Sequence, residues 1–179
     1  ALEPTAAAGV VPAREAAAAG ISWVFAPVCD LDVEAANPIV QTRAFGADPE
    51  RVGAHAAAWI GACQEHGVLA CAKHYPGHGR TTLDSHEGLP DVTAPRDALE
   101  RADLAPFRAA LEAGVGSVMA GFVSYSAWDP SGRAAGFSPE ILGWLGGQGV
   151  PEADRAKLKT LFGHLQNGVG LDGHAGGTR

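Results

Sequence analysis

One short segment of the chain carries an unusual density of titratable side chains. Lys73, His74, His78, Asp84 and His86 fall within 14 consecutive positions, and glycines lie between them. Side chains of these types can bind a metal ion, activate a nucleophile or transfer protons. The chemistry of this segment is therefore the first question that the sequence poses.

Asp84 and His86 are the best candidates for proton transfer. Residues two apart lie on the same side of an extended segment, so the carboxylate can reach the imidazole. A carboxylate partner fixes the tautomer of a histidine, and a histidine titrates near neutrality. His86 could then both donate and accept a proton during turnover, with Gly77 and Gly79 allowing the loop to move.

Three other interpretations of the same residues remain open at this point. A metal site would use His74, His78 and His86, although a Pro-Gly step breaks the helix that would place the first two on one face. A serine hydrolase would use Ser85, but its neighbours do not form a G-x-S-x-G turn. A solvated polar loop with incidental histidines would need no chemistry.

The elements around this segment alternate between helix and strand. Apolar runs predict buried strands at Ile21–Val28, Val68–His74 and Gly116–Val123. Capping residues and periodicity predict helices ending at Gly20, over Asp48–His66, over Arg96–Ala113 and from Ser138 to Leu145. Crossovers of helix length favour a parallel α/β sheet.

In a parallel sheet, functional side chains gather at the carboxyl ends of the strands. Arg43 follows the first predicted strand, Lys73 and His74 end the second, and Met119 lies near the end of the third. The loop predicted from Tyr75 to about Pro95 continues from the second strand. The elements therefore place the unusual residues at one edge.

Composition restricts the class of protein. The 179 residues are 46% hydrophobic with a net charge of −7, which is typical of a globular domain and not of a disordered chain. The negative charge and the lack of a Lys/Arg cluster argue against nucleic acid as a partner. We find no apolar run long enough for a membrane span. Three cysteines argue against a disulfide framework, and apolar neighbours predict that they are buried and reduced.

The segment Lys73–His86 resembles the β-N-acetylglucosaminidase branch of glycoside hydrolase family 3, whose motif is K-H-[FY]-P-G-H-G-x4-D-S-H. Similar companion motifs occur in the family's order: W-V-F-A-P-V-x-D at Trp23–Asp30, N-P-x-I-x-x-R-[SA]-F-G at Asn37–Gly46, D-L-x-P-F-R at Asp103–Arg108 and V-M at Val118–Met119. The similarity covers roughly Ile21–Leu145.

This resemblance implies a fragment of a TIM-like (β/α)8 barrel and a retaining hydrolase that removes terminal β-linked N-acetylglucosamine, for example in peptidoglycan fragment turnover. It assigns the acid/base role to His86, supported by Asp84. It assigns substrate binding to Arg43, Lys73, His74 and Met119. It implies a GlcNAc-containing carbohydrate as the partner, and neither a cofactor nor a metal.

The sequence also departs from the family's pattern. Phe122 stands where the family usually has His, and neither a D-x-E-G-G segment nor a nucleophile is found; Asp172 matches the Asp of G-F-D-G instead. A (β/α)8 barrel needs about 250 residues. We therefore expect a partial barrel over 1–149 with about three strands, followed over 150–179 by an unmatched helix and a Gly-rich tail.

Two functional hypotheses follow from these departures. The first is a β-N-acetylhexosaminidase of which this chain is a piece, with little or no hydrolysis by the isolated chain. The alternative is a non-catalytic sugar-binding or misassembled barrel fragment. A bacterial cytoplasmic location is favoured, with export possible, and the oligomeric state is open.

Overall fold

Two parallel strands form the centre of the structure, a computed structural model that describes residues 1–147. Strand β1 (Cys71–Tyr75) pairs with β2 (Ser117–Ala120), with Cys71 opposite Ser117 and Lys73 opposite Met119. The crossover between them carries two helices, α3 (Arg96–Arg101) and α4 (Ala105–Glu112). This arrangement is the strand–helix–strand unit that the alternation predicts.

The predicted first strand, Ile21–Val28, is present only as an irregular segment. It runs parallel to the chain around β1 and forms isolated bridges to Leu69 and Lys73. Pro27 has no N–H group, so a continuous ladder cannot form across it. Within residues 1–147 there are therefore two regular strands, and the first of the three predicted strands is present only through isolated bridges.

The helices of the amino-terminal half begin and end close to the predicted positions. Helix α1 spans Glu3–Ala18 and α2 spans Pro49–Gln64. The Asp48 carboxylate accepts the Arg51 N–H at 2.7 Å, so Asp48 caps α2 as its sequence position predicts. A 3₁₀ turn, Gln41–Arg43, lies between these two helices.

The carboxyl-terminal helices differ more from the prediction. One helix was expected over Arg96–Ala113, but the structure divides it into α3 and α4. Pro106 stands in the first turn of α4, where it cannot donate to the preceding turn, and this favours a break before it. Helix α5 (Pro139–Gly147) follows a second 3₁₀ turn, Ala135–Phe137. The predicted boundary at 149–150, the helix beyond it and the Gly-rich tail lie outside the described residues.

The core holds β1 between these helices. Tyr75 is fully buried, packs edge-on against Phe107 with ring centroids 5.5 Å apart, and donates its hydroxyl to the Ile141 carbonyl at 2.6 Å. Helices α1 and α2 approach closely at Gly9, where a Cβ would lie 2.7 Å from the Trp59 carbonyl oxygen. The packing of Tyr75 fixes the strand end that carries Lys73 and His74.

Two features of the described part concern the wider class of protein. The three cysteines, Cys29, Cys63 and Cys71, are buried and free. None of the helices within residues 1–147 is both long and apolar enough to cross a membrane.

Candidate active site

The carboxyl ends of β1 and β2 bring together three of the residues predicted to bind substrate. Lys73 and His74 lie in β1, and Met119 pairs with Lys73 from β2. All three are partly exposed. Burial and the neighbouring charge of Arg43 both lower the pKa of Lys73. This edge therefore presents two cationic groups close together.

Arg43 reaches the same edge from the 3₁₀ turn. Its Nη1 donates to the Ile39 carbonyl at 3.0 Å, and its side chain is exposed. The turn itself is held by Asn37, whose side-chain oxygen accepts the Ile39 and Val40 N–H groups at 3.0 and 2.7 Å. Asn37 thus supports a site residue from within the core.

Asp30 orients His74, and sequence reasoning assigned it no role. The buried carboxylate accepts the His74 backbone N–H at 3.1 Å, the His78 backbone N–H at 2.7 Å and His74 Nδ1 at 2.6 Å. Because a carboxylate only accepts hydrogen bonds, Nδ1 carries the hydrogen. Nε2 of His74, a side chain that is 17% exposed, is then the ring nitrogen available to a ligand.

His78 is buried beneath this site. Its Nδ1 lies 2.8 Å from the Thr81 hydroxyl, and its Nε2 has no hydrogen-bond partner among the described residues. Burial lowers the pKa of His78, which favours the neutral imidazole. Its ring meets that of His74 edge-on at 5.9 Å. The arrangement gives His78 a supporting position under the strand end.

The structure does not bring the three histidines of the metal hypothesis together as ligands. Residues 1–147 contain no group of three or more His, Cys, Asp or Glu side chains placed to hold a metal ion. His74 is committed to Asp30, His78 is buried, and His86 lies on an exposed loop. Their positions give that hypothesis no support.

Asp84 and His86 form the predicted pair. The Asp84 Oδ1 lies 2.6 Å from His86 Nδ1 and accepts the His86 backbone N–H at 2.9 Å. These hydrogen bonds, the backbone one first, lower the pKa of Asp84. The His86 side chain is 85% exposed and that of Asp84 is 25% exposed. His86 therefore presents its other ring nitrogen, Nε2, to solvent.

The pair lies midway along the loop that joins β1 to α3, residues 76–95, which we term the β1–α3 loop. Its first part is fixed: the Arg80 guanidinium contacts both carboxylate oxygens of buried Asp103 at 2.9–3.0 Å. A Cβ on Gly79 would overlap the Leu31 carbonyl oxygen, so only glycine fits there. The Tyr125 hydroxyl donates to the Gly77 carbonyl at 2.8 Å.

Two aromatic side chains stand exposed beyond the end of β2. Phe122 is 61% exposed, Phe137 is 52% exposed, and their rings meet edge-on at 5.7 Å. A Cβ on Gly121 would lie 3.5 Å from His74 Cβ, which places the phenyl pair beside the strand ends. The surface at Phe122 is apolar where the family pattern has an imidazole.

These features define a class of protein: a parallel α/β barrel fragment with a polar site at its strand ends and a His–Asp pair on the following loop. The family model for the glycosyl hydrolase family 3 N terminal domain matches residues 2–164. The chain belongs to this family, and its fold is part of a TIM-like barrel. The match extends beyond the predicted boundary at 149–150.

Most of this chain is also similar to individual proteins of known name. The chain is 40% identical over 158 residues to a beta-hexosaminidase of Chromobacterium violaceum, covering 87% of this chain and 44% of the relative. A solved family 3 β-N-acetylglucosaminidase from Paenibacillus superposes with a TM-score of 0.79 at 33% identity, covering 91% of this chain and 29% of that one.

A third relative was solved with a sugar derivative. NagZ from Neisseria gonorrhoeae, in complex with N-trifluoroacetyl-D-glucosamine, superposes with a TM-score of 0.78 at 34% identity. The match covers 90% of this chain and 51% of that one. The chain thus spans about half or less of the length of these three proteins.

Proposed function

We propose that these residues form the acid/base and sugar-binding part of a retaining glycoside hydrolase that removes terminal β-linked N-acetylglucosamine. The observation that carries the proposal is the 2.6 Å contact between Asp84 and His86 Nδ1 on an exposed loop. It leaves one ring nitrogen of His86 facing solvent, on the loop that follows the strand carrying Lys73 and His74. The choice of sugar is supported by the similarity to a beta-hexosaminidase and a β-N-acetylglucosaminidase, and by the N-trifluoroacetyl-D-glucosamine bound to a third relative.

The sugar-binding roles follow from the chemistry of the strand ends. Lys73 and Arg43 are hydrogen-bond donors, so they suit the oxygen atoms of sugar hydroxyls. His74 is held by Asp30 so that Nε2 can meet a further hydroxyl. Met119 lies opposite Lys73 and offers a flexible apolar surface. Together these side chains would hold the terminal sugar.

His86 would act twice in each turnover. With Nδ1 held by Asp84, a protonated Nε2 donates its proton to the departing glycosidic oxygen as the bond to the anomeric carbon breaks. The same nitrogen then takes a proton from the water that hydrolyses the glycosyl-enzyme. The proposal assigns no nucleophile; in a retaining enzyme a carboxylate lies about 5–5.5 Å from the acid/base group.

Hydrolysis of nitrophenyl β-glycosides tests the proposal on the full gene product. We expect release of nitrophenol from the N-acetylglucosaminide, little from the glucoside, and a first sugar product of β configuration by proton NMR. His86→Ala should lower the rate by about a hundredfold or more. Ser85→Ala is the matched control, because it alters the neighbouring residue of the same loop and should retain activity.

Three results would reject or replace the proposal. Loss of activity in Ser85→Ala, with His86→Ala active, would point to a serine hydrolase. Binding of N-acetylglucosamine without hydrolysis would support the non-catalytic alternative. Absence of both binding and hydrolysis would reject the sugar site.

A further inference from the structure

The β1–α3 loop is fixed at both ends and held only by local contacts in the middle. Residues 82–89 are exposed or partly exposed, and the backbone bonds there are local: the Asp84 carbonyl accepts the Glu87 and Gly88 N–H groups at 3.0 and 3.3 Å. Contacts at the two ends must therefore determine where His86 lies relative to bound sugar.

The first end is fixed beside the strand that carries Lys73 and His74, because the Asp30 carboxylate accepts the backbone N–H groups of both His74 and His78. Arg80 pairs with buried Asp103, and the Asn37 side-chain amide donates to the His78 carbonyl at 2.9 Å. This end of the loop is thus referenced to β1 and to the core. The position of the middle of the loop, which carries His86, then depends on the contacts at the other end.

The second end is fixed to the continuation of β2 by what we term the Asp91 cluster: Asp91, Ser124 and Ser126. Asp91 Oδ1 accepts the Ser124 hydroxyl at 2.9 Å and the Ser126 N–H at 3.0 Å, and Oδ2 accepts the Ser126 hydroxyl at 2.6 Å. Hydrogen bonds from Val92 N–H to the Ser124 carbonyl and from Ser124 N–H to the Pro90 carbonyl accompany it. The Asp91 carboxylate and these backbone hydrogen bonds therefore join the loop to this strand extension together.

We propose that Asp91 is a positioning residue for the acid/base histidine, which it places by tying the β1–α3 loop to the strand that carries Met119. Contacts at the two ends of the loop then fix the position of His86 relative to β1 and β2, the two strands that line the sugar site. This inference rests on the proposed function, because it needs His86 to be the acid/base group. In this role Asp91 acts through His86 and needs no contact of its own with the substrate.

The expected effect is a selective one. Loss of the Asp91 cluster leaves Arg43, Lys73 and His74 on their own elements, so sugar binding should change little. Proton donation should suffer, because it requires His86 within hydrogen-bond reach of the leaving oxygen. A sugar leaving group needs that proton, whereas a dinitrophenolate departs without it.

The experiment measures kcat/KM of the full gene product on the GlcNAc disaccharide and on dinitrophenyl N-acetyl-β-glucosaminide. We expect Asp91→Ala to lower the disaccharide value by about five- to tenfold and the dinitrophenyl value by less than about twofold. Ser126→Ala, which keeps the carboxylate, should show a smaller change of the same pattern. Asp97→Asn, which removes an exposed ion pair with Arg101 on α3, is the matched control.

The variants separate the two proposals. If His86→Ala fails to lower the disaccharide value selectively, the proposed function falls, and the role of Asp91 falls with it. If His86→Ala shows the selective loss but Asp91→Ala and Ser126→Ala lower both substrates equally or neither, only the positioning role is overturned. The melting temperature of each variant identifies a loss of kcat/KM that comes from unfolding. If Asp91→Ala is unfolded, the result for Ser126→Ala decides whether Asp91 has the positioning role.

Discussion

Replacing Asp30 with Asn should reverse the tautomer of His74. The wild-type carboxylate can only accept, so it requires the hydrogen of His74 on Nδ1, 2.6 Å away. In Asp30→Asn the remaining oxygen can keep both backbone N–H groups, and the new amide donates toward Nδ1. His74 must then carry its hydrogen on Nε2, which changes the site-facing nitrogen from an acceptor to a donor.

The magnitude follows from the hydrogen bonds that change. The variant turns three charge-assisted hydrogen bonds, each worth about 1.5–3 kcal/mol, into neutral ones worth about 0.5–1.5 kcal/mol each, and it offsets part of this loss by removing a buried charge. We therefore expect the free energy of unfolding to fall by about 1–2 kcal/mol. Asp30→Ala leaves three donors, one buried and two partly buried, without this acceptor and should cost about 3–5 kcal/mol. A sugar hydroxyl that donates to Nε2 in the wild type must turn to accept from it in Asp30→Asn, and we expect this to weaken N-acetylglucosamine binding by up to about tenfold.

Two assays measure these changes. Urea unfolding gives the free energy, and nitrogen NMR of ¹⁵N-histidine-labelled protein reports which ring nitrogen of His74 carries the hydrogen. Asp32→Asn is the matched control, because Asp32 lies two residues away and is exposed. It should leave both quantities unchanged.

The reasoning about Asp30 would be refuted by one clear result. If Asp30→Asn keeps the hydrogen on Nδ1 of His74 and unfolds at the wild-type urea concentration, the buried carboxylate does not set the tautomer. A loss of stability in Asp32→Asn of the same size would show that charge alone, rather than the contacts of Asp30, is responsible.

Two further predictions concern packing and pH. Gly9→Ala should destabilise the chain by about 1–3 kcal/mol because the new Cβ would meet the Trp59 carbonyl. Gly61→Ala has open space around it and should stabilise α2 by about 0.5–1 kcal/mol. Thermal unfolding of the two variants measures both effects. Hydrogen bonds from His86 lower the pKa of Asp84, so the Asp84–His86 pair should persist at pH above about 4 and be lost as the pH falls through the lowered pKa. Carbon NMR of the Asp84 carboxyl should show its titration midpoint at higher pH in His86→Ala. An unchanged midpoint would contradict this prediction.

The sequence predicts the parts of the site that depend on local pattern. The apolar run before His74 predicts a buried strand, and the following glycines and prolines predict a loop, so the strand-end position of Lys73 and the loop position of His86 follow. The i, i+2 spacing of Asp84 and His86 also predicts their contact, although the structure makes it in a turn and not in the extended segment that the prediction assumed. Each of these inferences needs only neighbouring residues.

Long-range contacts could not be predicted in the same way. Asp30 meets His74 because the irregular first segment runs beside β1, and that pairing depends on the register of two distant segments. Asp91 meets Ser126 only after the chain has crossed through α3 and α4. Asp30 ends the matched W-V-F-A-P-V-x-D motif, which is the signal that could have pointed to it.

Two local predictions were incomplete for reasons that the sequence contains. Pro27 interrupts the first strand, and Pro106 favours the break between α3 and α4. In both cases the hydrophobic periodicity continues across a proline, which cannot donate a backbone hydrogen bond. Burial was predicted correctly around Pro106, where Leu104 and Phe107 are buried, but not in the first segment, where Ile21, Trp23 and Phe25 are about half exposed. In both places the missing N–H determined the regularity of the element.

The leaving-group dependence of His86→Ala tests the central claim most directly. The measurement is kcat/KM on the GlcNAc disaccharide divided by kcat/KM on the dinitrophenyl glycoside, for the full gene product and the variant. If His86 is the acid, this ratio should fall by about a hundredfold or more in His86→Ala, because only the disaccharide needs the proton. An unchanged ratio, with both substrates lowered equally or not at all, would contradict the account.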